Sequence, residues 1–210
     1  MTMATSTLVL GAQQPKRITL VGASIGKDWQ FDKIGERLGV GDYEFGYVGK
    51  YSFDKSSLIT QLLQSQTKPD IVLVKECSTY FPGDRSQYQR QIQTWVGELR
   101  AAGVQPVLVT VAPVEPPSWI QQAKNLTKRA LGRPIWMAEI AAFNDWLRDY
   151  AARERLPLFD LEAALRIGSD NRYMRPEFGV GDYVHLNSAA YAHLDREFGR
   201  FLAQLKTDPR

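Results

Sequence analysis

The sequence predicts an α/β protein in which a five-stranded parallel sheet lies between two layers of helices. Two patterns support this fold class. Short apolar runs alternate along the chain with longer segments whose apolar residues recur every three or four positions, as expected of strands joined by helical crossovers. The apolar runs also lack the strict alternation of a half-exposed strand, which indicates strands covered on both faces.

Five apolar runs are predicted to be strands. They are residues 17–21, 43–48, 71–74, 107–111 and 157–161. The run at 71–74 is the most strand-like, and we expect it at the centre of the sheet. Gly22 and Gly49 directly follow the first two strands, where the chain must turn.

The segments between the strands carry helix patterns and helix caps. Helices are predicted over residues 31–38, 54–64 and 120–131, from an Asp84 cap to Gly103, from Pro134 to Tyr150, and from an Asn187 cap through Leu205. Asp and Asn side chains accept hydrogen bonds from the free N–H groups of a first helical turn, which explains these starts. Trp119, in a proline-rich loop, is expected at the surface, and Trp136 is expected in the core.

Length and composition suggest one domain over residues 17–206, preceded by a flexible segment at residues 1–16. The net charge of +3 is mild and dispersed, which argues against a nucleic-acid partner. The first residues lack the basic region of a signal peptide, and no stretch is apolar enough to span a membrane. We therefore expect a cytoplasmic protein, exported only if a leader has been removed.

Few residues suited to metal or redox chemistry are present. The chain has one cysteine, Cys77, and two histidines, which excludes an internal disulfide and argues against a zinc site. We expect no metal and no cofactor. Cys77 follows an apolar run and is expected to be a small buried hydrophobe, and His193 is expected to have a structural role in the last helix.

The segment Gly181–Ser188 places Asp182 three residues ahead of His185, just before the last predicted helix. The carboxylate can reach the Nδ1 hydrogen of His185, fix the tautomer and leave Nε2 free as a general base. Ser24 lies in the Gly-Ala-Ser-Ile-Gly turn that leaves the first strand. Ser24 is the best candidate for the nucleophile that this base would deprotonate. Ligands of such sheets bind beyond the carboxyl ends of the strands, so Ser24, Gly49 and the loop after residue 74 can converge there.

Each of these two motifs is common by chance, but their order and context together resemble the SGNH or GDSL hydrolases, a superfamily of serine esterases, lipases and acyltransferases. The resemblance implies a three-layer, flavodoxin-like fold without a cofactor and cleavage of a carboxylic ester through an acyl-enzyme on Ser24. It also implies oxyanion donors from the backbone amide of Ser24, from a glycine after strand two, and from an asparagine after strand three. Gly49 matches the glycine, with Gly46 as a competing choice.

The third donor is where this sequence departs from the family. The usual Gly-x-Asn-Asp is absent, and Thr79 lies nearest the asparagine position, with Cys77 and Ser78 in the preceding slots. The Thr79 hydroxyl can donate one hydrogen bond but is shorter than an asparagine side chain. Glu76, in the same loop, is expected to be solvated or paired with a lysine or arginine.

Several functions remain open at this point. The expected substrate is a small-molecule or glycan ester, and the same triad could pass the acyl group to an alcohol instead of water. A ligand-binding relative with impaired catalysis is a further alternative, because the third-block asparagine is missing. A dinucleotide site at residues 22–26 is disfavoured because Gly-x-Gly-x-x-Gly is absent. The oligomeric state stays open.

Overall fold

The computed structural model describes residues 14–207, which form a five-stranded sheet in which every strand pairing is parallel. The strands are β1 (Lys16–Gly22), β2 (Tyr43–Gly49), β3 (Ile71–Lys75), β4 (Gln105–Val109) and β5 (Leu158–Phe159). Their spatial order is β2-β1-β3-β4-β5. The central place predicted for residues 71–74 is confirmed. The order reverses between β1 and β3, which in doubly wound sheets opens a crevice at the carboxyl ends of these strands.

Eight α-helices connect and cover the strands within the described residues. They are α1 (Ser24–Asp28), α2 (Ile34–Leu38), α3 (Ser56–Gln64), α4 (Arg85–Ala101), α5 (Trp119–Ala130), α6 (Trp136–Glu154), α7 (Leu161–Leu165) and α8 (Ser188–Thr207). Three single 3₁₀ turns lie at Phe31–Lys33, Ser78–Tyr80 and Pro176–Phe178. No helix among residues 14–207 combines the length and the hydropathy needed to cross a bilayer.

The sheet separates two apolar cores, so the predicted three-layer α/β fold is confirmed. Neighbouring strand residues alternate between the two cores, as Val72 and Leu73 do in β3. One core packs the sheet against α3, α4 and α6, with Trp95 and Phe143 fully buried. The other packs it against α1, α2, α7 and α8, with Phe198 of α8 at its centre.

The predicted helix caps at Asp84 and Asn187 are present, because their side chains accept hydrogen bonds from Gln87 N–H and Ala190 N–H.

The structure differs from the predicted elements mainly at element ends. Leu161, expected to end a strand, instead begins α7, and the helix expected from Pro134 starts at Trp136. Strand β4 spans residues 105–109, two residues earlier than predicted. Short elements of this kind depend on single caps, such as that of Asp160 on α7, rather than on apolar periodicity.

The flexible segment predicted at residues 1–16 falls largely on residues 1–13, which lie outside the described part, and Lys16 already belongs to β1. Trp119 is exposed as expected, with 78% of its surface accessible, but it is the first residue of α5 and not part of a loop.

Candidate active site

The first two strands end side by side beneath the serine turn. Gly22 of β1 pairs in register with Gly49 of β2, and Ser24 is the first residue of α1. The carbonyl of Ala23 accepts hydrogen bonds from the N–H groups of Gly26 and Lys27, which fixes the turn from strand to helix. Ser24 is partly exposed at this carboxyl edge of the sheet. The candidate nucleophile therefore sits where ligands of such sheets bind.

Tyr47 fixes the backbone of the serine turn through a hydrogen bond. Its hydroxyl donates a hydrogen bond of 2.8 Å to the carbonyl oxygen of Ala23, the residue before the serine. A Cβ added to Gly26 would lie 2.7 Å from the Tyr47 ring, and one added to Gly49 would overlap its hydroxyl. Both glycines are therefore required by the close approach of one aromatic ring. Burial, with smaller effects from Tyr51 and Asp28, raises the pKa of Tyr47 to about 12, which keeps the phenol neutral and able to donate.

Asp182 and His185 form the hydrogen-bonded pair that their spacing suggests. Asp182 Oδ2 lies 2.6 Å from His185 Nδ1, and Asp182 Oδ1 accepts the backbone N–H groups of Val184 and His185. Burial raises the pKa of Asp182, but these N–H groups and the imidazole lower it more, so the net pKa lies below its ordinary value. The ionised carboxylate thus orients both the ring and the backbone of the turn, and it leaves Nε2 as the free nitrogen.

Glu115, in the loop after β4, holds the Asp-His turn through contacts that the sequence does not predict. Glu115 Oε1 accepts the N–H of Gly181 at 2.8 Å, and the Glu115 N–H donates to the carbonyl of Tyr183 at 3.0 Å. A Cβ on Gly179 would overlap the Glu115 carboxylate, so a larger residue there would displace the Glu115 side chain from its contact with Gly181. Tyr183 is held at a φ of +77°, a conformation that costs a non-glycine residue about 1 kcal/mol or more. No local pattern around Glu115 signals this contact.

The serine turn and the Asp-His turn share part of one buried cluster. Ile25, directly after Ser24, and Leu186, directly after His185, belong to this cluster, whereas Val184, directly before His185, belongs to the core on the other face of the sheet. Trp29 at the end of α1 donates through Nε1 to Asp195 of α8 at 2.7 Å, which ties the two helices together. Within residues 14–207 no hydrogen bond joins Ser24 Oγ to His185 Nε2. That contact, and the catalytic roles of the three residues, stay predictions.

The loop after β3 places Thr79 in the 3₁₀ turn Ser78–Tyr80, with its side chain exposed. The Thr79 hydroxyl donates to Cys77 Sγ at 3.1 Å, and Trp136 Nε1 donates to the Ser78 carbonyl at 2.6 Å. Cys77 is buried, as expected. Among residues 14–207, the backbone N–H groups of Ser78 and Thr79 donate to no other group. These two amides are free to donate to a ligand, whereas the Thr79 hydroxyl would first have to release Cys77 Sγ. The oxyanion role of Thr79 stays a prediction.

A buried ion pair links the loops that follow β2 and β3. Lys55 Nζ contacts Glu76 Oε2, and both side chains are at most 1% exposed. Lys55 also donates to the carbonyl of Ser52 at 3.0 Å, whereas Glu76 Oε1 has no hydrogen-bond partner within residues 14–207. Of the two alternatives for Glu76, the structure shows the paired one. Gly49 ends β2 and Thr79 lies in the loop after β3, so the pair joins chain segments that are close in sequence to both candidate oxyanion donors.

The charge of Glu76 should make the stability of the protein depend on pH. Burial raises the pKa of Glu76 to about 7, although Lys55 opposes the shift. A carboxyl whose pKa is raised on folding stabilises the protein below its unfolded pKa and loses that contribution as the pH rises through the folded value. The free energy of unfolding should therefore fall by at most about 3 kcal/mol between about pH 4.5 and pH 7 from this group alone.

Urea titrations of wild type and Glu76→Gln at about pH 5 and about pH 8 measure this contribution, because the glutamine does not titrate. We expect wild type to lose more stability than the variant over this interval. Equal pH dependence in the two proteins would show that Glu76 stays ionised throughout.

Comparisons with known proteins bear on the fold. No protein-family model and no curated protein sequence matches the chain. Among solved structures, a GDSL-like lipase from Bacteroides thetaiotaomicron is 16% identical with a TM-score of 0.64, and the match covers 92% of each chain. A lipase/acylhydrolase from Enterococcus faecalis is 18% identical with a TM-score of 0.61, covering 93% of this chain and 98% of that one.

A catalytic mutant of an acetylxylan esterase from Geobacillus stearothermophilus is 13% identical with a TM-score of 0.62, covering 92% of this chain and 96% of that one. The TM-scores and coverages show a shared fold, but identities this low do not show a shared activity, which has to be argued from the site. The chain has the fold of the SGNH/GDSL hydrolases, as its serine turn and Asp-x-x-His motif predicted.

Proposed function

We propose that the protein hydrolyses a carboxylic ester through an acyl-enzyme on Ser24. The observation that carries this proposal is the Asp182–His185 hydrogen bond, in a chain whose candidate nucleophile Ser24 begins the helix directly after the first strand. A carboxylate bound to Nδ1 leaves Nε2 to accept the serine proton, which is the arrangement that nucleophilic acyl transfer requires. The similarity to esterases and lipases of the same fold supports it.

In the proposed mechanism Ser24 Oγ attacks the ester carbonyl while His185 takes its proton. The Asp182 carboxylate stabilises the imidazolium that forms, and its lowered pKa keeps it ionised at neutral pH. The backbone amides of Ser24 and Gly49 and a donor from the Thr79 loop bind the developing oxyanion. His185 then returns the proton to the leaving alcohol, and water repeats the sequence to release the acid.

The substrate class we propose is an O-acyl group on a carbohydrate or another small metabolite. Asp182 and His185 have side chains that are 48% and 40% exposed, so a bulky alcohol portion can reach the base. The acetylxylan esterase with this fold is consistent with a carbohydrate ester. The same open position would also admit an alcohol in place of water, so acyl transfer is the second candidate function.

The proposal is tested by reaction with a fluorophosphonate, which labels only an activated nucleophile. We expect one adduct, mapped by peptide mass spectrometry to the peptide that contains Ser24. Competition with phenyl acetate should protect the site if an ester is the substrate. Absence of labelling, together with absence of turnover on short p-nitrophenyl esters, would favour a ligand-binding protein without catalysis.

The donor from the third loop can be identified with Thr79→Val, which removes the hydroxyl with little change in volume. If the hydroxyl binds the oxyanion, kcat on a short p-nitrophenyl ester should fall by about 10² or more with KM little changed. Thr67→Val provides a matched control, because Thr67 lies on the surface between α3 and β3. Wild-type turnover in Thr79→Val would assign the role to the free backbone amides of Ser78 and Thr79.

A further inference from the structure

Helix α5 presents its apolar side to solvent. None of its residues is buried, and only Asn125 is partly covered by the rest of the protein. Trp119, Ala123, Leu126 and Ala130 recur at spacings of four, three and four residues and therefore share one face of the helix. Asn125 lies outside that face. The one partly covered position of α5 thus lies on its polar side, and the apolar side faces outward, the reverse of a helix that covers a core.

The apolar side chains of this segment are large and accessible. Trp119 is 78% exposed and Leu126 is 65% exposed, and Ile120 and Leu131 extend the same surface at 47% and 62%. Four of the seven large hydrophobic side chains that are exposed among the described residues thus lie within thirteen consecutive positions. Scattered exposed hydrophobic residues are ordinary, but a concentration of this kind marks an interaction surface.

The charged residues of α5 and of the segments that flank it in sequence all have one sign. Lys124, Lys128, Arg129 and Arg133 lie on or just after the helix, and no acidic residue occurs between Glu115 and Glu139. None of these four cationic side chains forms an ion pair within residues 14–207. A partner that matched this surface would offer both apolar volume and negative charge.

We propose that α5 docks on the surface of an anionic lipid bilayer. Its apolar face would enter the boundary between headgroups and acyl chains, and its lysines and arginines would contact lipid phosphates, as in interfacial amphipathic helices. Long cationic side chains beside an apolar stripe suit this boundary because their stems pack on hydrocarbon while their charged ends stay in water.

A second copy of the chain fits the same surface poorly. In a two-fold dimer the same patch faces itself, so the four cations of one copy would oppose those of the other. No carboxylate in residues 116–138 could neutralise them. A bilayer that contains acidic lipids provides the apolar volume and the counter-charge together.

Helix α5 is close in sequence to the loop that holds the Asp-His turn. The helix follows the loop in which Glu115 binds Gly181 and Tyr183, so its first residue lies four positions after the contact that clamps the Asp-His turn. A docked α5 would hold the candidate active site close to the bilayer surface. The docking itself stands without the proposed esterase activity, and it is tested without a substrate.

Co-sedimentation of the full chain with vesicles tests the proposal. We expect binding to mixed phosphatidylcholine/phosphatidylglycerol vesicles, weakened by salt, and little binding to pure phosphatidylcholine. The double variant Trp119→Ser/Leu126→Ser should lower the partition coefficient by about tenfold or more. Lys124→Gln and Lys128→Gln should each lower it by about fivefold.

Two matched controls alter exposed residues elsewhere. Ile167→Ser removes another exposed hydrophobic side chain, and Arg85→Gln/Arg90→Gln removes two exposed cations of α4. Both should bind as wild type does, and circular dichroism should show that every variant is folded.

Three results would each overturn the proposal. They are the absence of vesicle binding by wild type, equal binding to vesicles with and without phosphatidylglycerol, and full binding by the α5 variants. Sedimentation equilibrium of the lipid-free protein tests whether a second copy of the chain binds this surface. Concentration-dependent self-association that is lost in Trp119→Ser/Leu126→Ser would assign the surface to a second copy of the chain instead.

Discussion

Replacing Ser24 by alanine is expected to lower kcat on a short p-nitrophenyl ester by about 10⁶, the loss seen when the nucleophile of a serine triad is removed. The remaining groups could then act only on a water molecule that is not positioned for attack. The variant should be as stable as wild type, because the Ser24 side chain makes no hydrogen bond within residues 14–207 and alanine favours the first turn of α1. Steady-state kinetics and a urea titration measure both effects.

Two controls make this experiment specific. Ser188→Ala removes an exposed serine at the start of α8 and should leave turnover unchanged. Cys77→Ala removes the other side chain of the site region that could act as a nucleophile. Turnover that survives Ser24→Ala but is lost in Cys77→Ala would place the acyl group on the cysteine and refute the assignment of Ser24.

Asp182→Asn is expected to lower kcat by about 10⁴ while the turn keeps its shape. The side-chain oxygen of the introduced asparagine can still accept the N–H groups of Val184 and His185, as Asp182 Oδ1 does now. Its amide nitrogen, however, donates where the carboxylate accepts, so the imidazole would carry its proton on Nε2. A nitrogen that already holds a proton cannot take one from Ser24. Single-turnover kinetics should show the loss in the acylation step.

The matched control is Asp149→Asn on the exposed side of α6, which should leave kcat unchanged. Asp182→Ala separates the orientation of the imidazole from the folding of the turn. Alanine also removes the acceptor of two backbone N–H groups, so this variant should in addition lose about 1 kcal/mol or more of stability. Near-full activity in Asp182→Asn would mean that the carboxylate only shapes the loop.

Contacts and elements that depend on residues close together in the sequence were predictable. The Asp182–His185 contact spans three residues, so its spacing alone brings the carboxylate to the ring. The five strands follow from apolar runs that parallel sheets require, and the caps at Asp84 and Asn187 follow from the N–H groups that every helix start leaves free. In each case the physical cause acts between neighbours in the sequence.

Short elements were harder to predict. Helix α7 has five residues, too few for a periodic pattern, and it depends on the Asp160 cap and on a hydrogen bond from Glu162 N–H to Thr110 Oγ1. The outward direction of the apolar face of α5 was not predictable either. An amphipathic pattern indicates that a helix has an apolar side, but only the packing of the whole chain decides which side meets the protein.

By itself the sequence determined the α/β class, the central place of β3, the positions of Ser24, Asp182 and His185, and the departure at Thr79. Only the tertiary structure decided what supports them. Tyr47 binds Ala23, Glu115 binds Gly181, and Lys55 pairs with Glu76, across separations of 24, 66 and 21 residues. Such contacts form because segments separated along the chain meet at one edge of the sheet, where polar groups find partners that no local pattern specifies; for Lys55 and Glu76, burial also requires the pairing.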